Sequence, residues 1–168
     1  MGDELSADDP GGKTGQIFCE GLQGVDGGRL ANGLMKRSDV FALAADPDVN
    51  TITVCAAALA WGGMNMRFRD DFFKLADSGW LDIAERIRLG KMCRRRAYKN
   101  LARLRNERLL HGAGPAYFTK LIYFLLPRNG AAHPRGYIMD QWAGCSINLL
   151  LSKELVRMDV VRKWKPGS

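Results

Sequence analysis

Two glycines and a proline, Gly112-Ala-Gly114-Pro115, interrupt an otherwise helix-forming stretch and constrain this chain more than any other short segment. Leu101, Leu104 and Leu109 recur at helical spacing before the break, and the apolar run Leu121 to Leu126 follows it. Pro115 suits a first helical position, where its missing N–H has no partner to lose. The glycines admit positive φ and close approach by another backbone. The spacing therefore predicts helix, tight turn, helix. The first N–H groups of the second helix point outward and attract phosphate. An ordinary pair of packed helices, with glycine only as a C-cap, reads the same way.

The neighbouring charge favours the phosphate. From Lys91 to Arg108 there are eight basic residues (Lys91, Arg94, Arg95, Arg96, Lys99, Arg103, Arg105, Arg108) and one acid, Glu107, so the segment's +7 equals the net charge of the whole 168-residue chain. On a helix, Arg95, Lys99 and Arg103 share one face at i, i+4 and i+8. A charged stretch alone is usually a solvated surface. Leading into an anion-attracting turn, this one points to a polyanion and salt-sensitive binding.

A carboxylate follows in Tyr137-Ile-Met-Asp140-Gln-Trp142. Tyr137, Ile138, Met139, Trp142 and Leu149 are compatible with a buried helix starting near Asp140, where the helix dipole favours an ionised cap. The same carboxylate in a cleft can stabilise a developing oxocarbenium ion or help activate a water.

Leu110-His-Gly-Ala-Gly-Pro115, the helix through Phe124 and the later Asp140 resemble the helix-hairpin-helix DNA glycosylase superfamily. More narrowly, Gly112-Ala-Gly-Pro-Ala-Tyr-Phe-Thr-Lys-Leu-Ile-Tyr-Phe124 with Tyr137-Ile-Met-Asp-Gln-Trp142 resembles a bacterial group described as having an 8-oxoguanine DNA glycosylase fold, and Ala60-Trp-Gly-Gly-Met64 fits it less specifically. The resemblance spans Ser38 to Leu150. It implies an all-α fold, binding of duplex DNA with an extruded base, and hydrolysis of the N-glycosidic bond without a cofactor. It implies Asp140 as the catalytic carboxylate, with Gly112, Gly114 and the N–H groups after them, from Ala116 on, as the phosphate grip. Relatives of the group occur in antiviral defence operons, which implies an operon-encoded protein as a further partner.

One departure matters. In bifunctional members a lysine two residues after the second hairpin glycine forms a Schiff base with the sugar, whereas this chain has Ala116 there. Lys120 stands one turn later, about 6 Å along at about 1.5 Å per residue, and is the second candidate. Without it, only water-mediated excision is open. A flipped base also needs rings to stack on and polar groups for its edge. Tyr117 and Trp142, together with Trp61 and Phe68, are available for stacking, and Gln141 for the edge. Pro127 to Tyr137 reads as a loop in which Arg128 and Arg135 add cations and His133 sits on the surface.

Composition bounds the rest. A chain of 168 residues with 46% hydrophobic content can bury one core. The apolar runs Val54 to Trp61 and Leu121 to Leu126 are too short to span a bilayer, and the acidic, Gly-rich start is unlike a signal peptide, so a cytoplasmic setting without membrane is expected. Cys19, Cys55, Cys93 and Cys145 form no Cys-x-x-Cys pair, and His111 and His133 are the only histidines. No metal site is expected, and the thiols should be reduced and mostly buried.

Residues 1–27 read as a flexible tail or loose packing arm, anchored only by Ile17, Phe18 and Leu22, and residues 28–168 as one helical domain. Within it, Ser38 caps a first helix and an apolar segment runs from Val49 to Trp61, although Asn50 to Cys55 also suits a strand by propensity. Arg69 to Leu75 and Trp80 to Leu89 are amphipathic, the second with Arg88 on its outer face. The resembled group continues with further helices after Leu151, so the chain reads as shortened at its C-terminus. Three functions remain open: a monofunctional glycosylase using Asp140, a non-catalytic DNA-binding hairpin module with Asp140 as a cap, and a helical subunit whose basic face meets an acidic protein.

Overall fold

The computed structural model describes residues 10–74, 79–128, 138–139 and 141–153. These form a helical protein with one two-stranded sheet: β1 (Pro10–Thr14), α1 (Gly15–Cys19), a 3-10 turn (Gly27–Arg29), β2 (Leu34–Lys36), α2 (Arg37–Ala45), α3 (Thr51–Trp61), α4 (Met66–Phe73), α5 (Trp80–Arg88), α6 (Arg94–Asn106), α7 (Pro115–Leu125) and α8 (Gln141–Leu150). The all-α expectation holds, with β1 and β2 as a small antiparallel addition.

Helix α3 is the axis of the fold. Its residues from Thr53 to Ala60 are all buried, and it packs against β1, α1, α2, α5 and α7. A helix apolar on every side belongs in a core, and the alanines from Ala56 to Ala58 and Ala60 let neighbours approach closely. The strand alternative for Asn50 to Cys55 fails because the Asn50 side chain accepts the Thr53 N–H at 3.0 Å and starts a helix. Helix α2 begins at Arg37, one residue before the expected Ser38 cap, because the Asp39 carboxylate accepts the Lys36 N–H at 2.9 Å.

The expected tail is an element of the fold from Pro10 onward. β1 pairs with β2, Phe18 is fully buried, and the Arg69 guanidinium donates to the carbonyls of Phe18 at 2.7 Å and Glu20 at 3.1 Å. Long-range partners, not local periodicity, order this segment. Arg88 also departs from expectation. Its guanidinium turns inward and donates to the carbonyls of Leu43, Ala44, Asp46 and Val49, tying the end of α2 to α5. Cys19 and Cys55 are buried, but Cys93 and Cys145 are exposed.

Candidate nucleic-acid interface and active site

Helices α6 and α7 form the expected hairpin. The inner face of α6 carries Ala97, Leu101 and Leu104, all buried, while Tyr98 meets Phe118 of α7 edge to face at 5.2 Å between centroids. Arg95, Lys99 and Arg103 lie on the exposed side. Arg103 pairs with Glu107 at 3.2 Å, and Arg95 and Lys99 make no ion pair among the described residues.

Neither glycine caps α6. The helix closes on Arg108, whose φ of 59° is left-handed, with Leu109 N–H donating to Leu104 at 2.8 Å and Arg108 N–H to Arg105 at 3.0 Å. Gly112 is a separate turn residue with φ of 71°, and a Cβ there would come within 2.4 Å of the Phe68 carbonyl oxygen. It locks the hairpin against α4. Gly114 differs: its φ of −87° is open to any residue, and a Cβ would meet nothing within 4 Å among the described residues. It caps α7, and its carbonyl accepts the N–H groups of Tyr117 at 2.9 Å and Phe118 at 3.1 Å. The Ala116 N–H has no acceptor among the described residues. A bare glycine followed by an unfilled N–H leaves room for an anion at this helix end.

Further along α7, the half-buried Lys120 places its ammonium 5.3 Å from the Tyr117 ring centroid, so Tyr117 is engaged by Lys120. The Lys120 methylenes lie over Gly62 at the end of α3. Trp61, one residue earlier, meets Phe124 edge-on at 5.0 Å and carries the Arg37 guanidinium at 5.1 Å. Between α2 and α7 lies a cavity of about 250 Å³ lined by Phe41, Ala44, Arg88, Phe124 and Arg128, among others. Arg128 stacks 3.3 Å from the Phe41 ring centroid.

Thr119, Phe41 and Gly62 join the site only through the tertiary structure. The Thr119 hydroxyl donates to the Pro115 carbonyl at 2.7 Å and accepts the Met139 N–H at 3.1 Å. This fastens the chain to α7 one residue before Asp140. Asp140, His133, Arg135 and Tyr137 lie outside the described residues. Gln141 and Trp142 open α8, and their side chains lie outside the description. Phe68 is 45% exposed on α4, beside the hairpin. A mid-helix threonine bonded back to the fourth residue before it leaves no mark in a sequence.

The described residues form an all-α protein with α6 and α7 as a helical hairpin. Residues 19–166 match the family described as "Putative 8-oxoguanine DNA glycosylase OGG-like protein", and the chain belongs to that family. No curated protein and no solved structure matches the chain. Among the described residues, no helix is long and apolar enough to cross a membrane.

Proposed function

We propose that this protein binds duplex DNA through the α6–α7 hairpin and excises a base from its sugar, with Asp140 as the carboxylate and Lys120 as the attacking amine. The supporting observation is that α7 gathers the parts. Its N-terminus at Gly114 is open to a phosphate, Lys120 lies one turn past Ala116, and Thr119 holds the residue before Asp140. Arg95 and Lys99 are exposed on α6, the helix that leads into the turn.

In the proposed chemistry the Asp140 carboxylate stabilises positive charge building on the sugar. The Lys120 ammonium first gives up a proton to solvent, its freed lone pair forms a bond to C1′ as the glycosidic bond breaks, and the base leaves with the electron pair and takes up the proton that the C1′-bound nitrogen releases. Asp140 is the residue on which this reading turns. Duplexes carrying 8-oxoguanine, uracil, alkylated or unmodified bases are incubated with the protein and treated with hot alkali. Cleavage of at least one duplex is expected, lost by about 10²-fold or more in Asp140→Asn, with duplex affinity retained. Salt-sensitive binding without cleavage of any duplex would overturn the catalytic reading in favour of a DNA-binding module or an accessory subunit.

A further inference from the structure

The turn Trp61-Gly62-Gly63 ends α3 directly beneath Lys120, and its two glycines do different work. Gly63 has φ of 67° and closes the helix, its N–H donating to Ala60 and the Met64 N–H to Leu59, both at 3.0 Å. That position needs glycine for its backbone. Gly62 does not, since its φ of −70° and ψ of −1° suit any residue. A side chain there would meet Lys120 first: a Cβ on Gly62 would stand 2.7 Å from Lys120 Cδ, 3.2 Å from the Ala58 carbonyl oxygen and 3.3 Å from Lys120 Cε. The turn has little room to retreat, because β1 lies against it so closely that a Cβ on Gly12 would come within 2.9 Å of Gly63 Cα. An added methyl at Gly62 is therefore relieved by displacing the lysine.

On the other side, Tyr117 lies three residues before Lys120 on the same helical face, and its ring is within cation–π range of the ammonium. From this we infer that Gly62 and Tyr117 are positioning residues for Lys120. Gly62 leaves the seat on which the methylenes lie, and Tyr117 holds the head group, as the ammonium, at the end of that seat until it gives up its proton. A lysine otherwise samples many rotamers, and fixing the stem raises the fraction of time its amine spends at one place. The inference rests on the proposed role of Lys120 as the attacking amine.

The test uses the full chain, a duplex bearing one abasic site, and sodium borohydride. The Lys120 amine and the C1′ aldehyde condense to an imine with loss of water, and borohydride delivers hydride to that carbon, leaving a stable secondary amine between protein and DNA. The trapping rate is read at saturating duplex, and duplex affinity is measured separately. In Lys120→Ala the adduct should vanish. Gly62→Ala and Tyr117→Leu should each slow trapping about tenfold with affinity unchanged, and Tyr117→Phe, which keeps the ring, should restore the wild-type rate. An adduct that persists in Lys120→Ala, or none from the wild type, overturns Lys120 as the amine and the inference with it. An adduct that needs Lys120 but forms at the wild-type rate in Gly62→Ala and Tyr117→Leu overturns the positioning roles alone. If Gly62→Ala fails to fold, as thermal unfolding would reveal, the Tyr117 pair decides.

Discussion

Gly112 and Gly114 are two residues apart and alike in the sequence, yet the structure asks opposite things of them. Gly112 combines a left-handed backbone with the Phe68 carbonyl against its α-carbon. Gly112→Ala should cost about 2 kcal/mol or more, seen as a large drop in thermal midpoint. Gly114 has an ordinary φ and open space but caps α7, so Gly114→Ala should cost no more than about 1 kcal/mol, while its methyl, set where the phosphate would lie, should weaken duplex binding about tenfold. A loss of stability in Gly114→Ala with unaltered binding would remove the phosphate from the reading. The cysteines divide by position in a similar way. Burial pushes the Cys55 thiol far above its usual range and raises that of Cys19, which suits packing roles and disfavours the nucleophilic thiolate.

At the scale of single elements, α6 carries two separable features. Arg108 closes the helix in a left-handed conformation that a side chain adopts at a cost of about 1 kcal/mol. Arg108→Gly should therefore raise unfolding free energy by about that amount in a denaturant titration, and no gain would mean that the arginine side chain makes up the difference. The exposed stripe is the second feature. If Arg95 and Lys99 each meet a phosphate, Arg95→Ala and Lys99→Ala should each reduce the slope of log affinity against log salt by about 0.9. Unchanged slopes would move the DNA path off this face. The stripe was legible because charge and helical period are both properties of sequence. The seat of Lys120 was not, since it depends on α3 and α7, far apart in the chain, meeting at Gly62.

Across the whole molecule, a buried arginine, Arg69, and a half-buried one, Arg88, join segments that the sequence leaves unrelated. Arg69 holds α1 to α4, and Arg88 serves the carbonyls at the end of α2 and the link to α3. Arg88→Leu leaves those carbonyls short of a donor and should cost about 3 kcal/mol, lowering the thermal midpoint by roughly 10 °C. A shift under about 2 °C would show that water replaces the guanidinium. By itself the sequence determined the helical class, the α6–α7 hairpin and the position of its cationic face, because periodicity, turn chemistry and charge act over a few neighbouring residues. Only the tertiary structure decided that residues from Pro10 belong to the fold, that Arg88 faces inward, that Arg108 rather than a glycine caps α6, and that Lys120 rests on Gly62. Each of these depends on a backbone or side chain brought from a distant part of the chain, and a contact of that kind has no period to read.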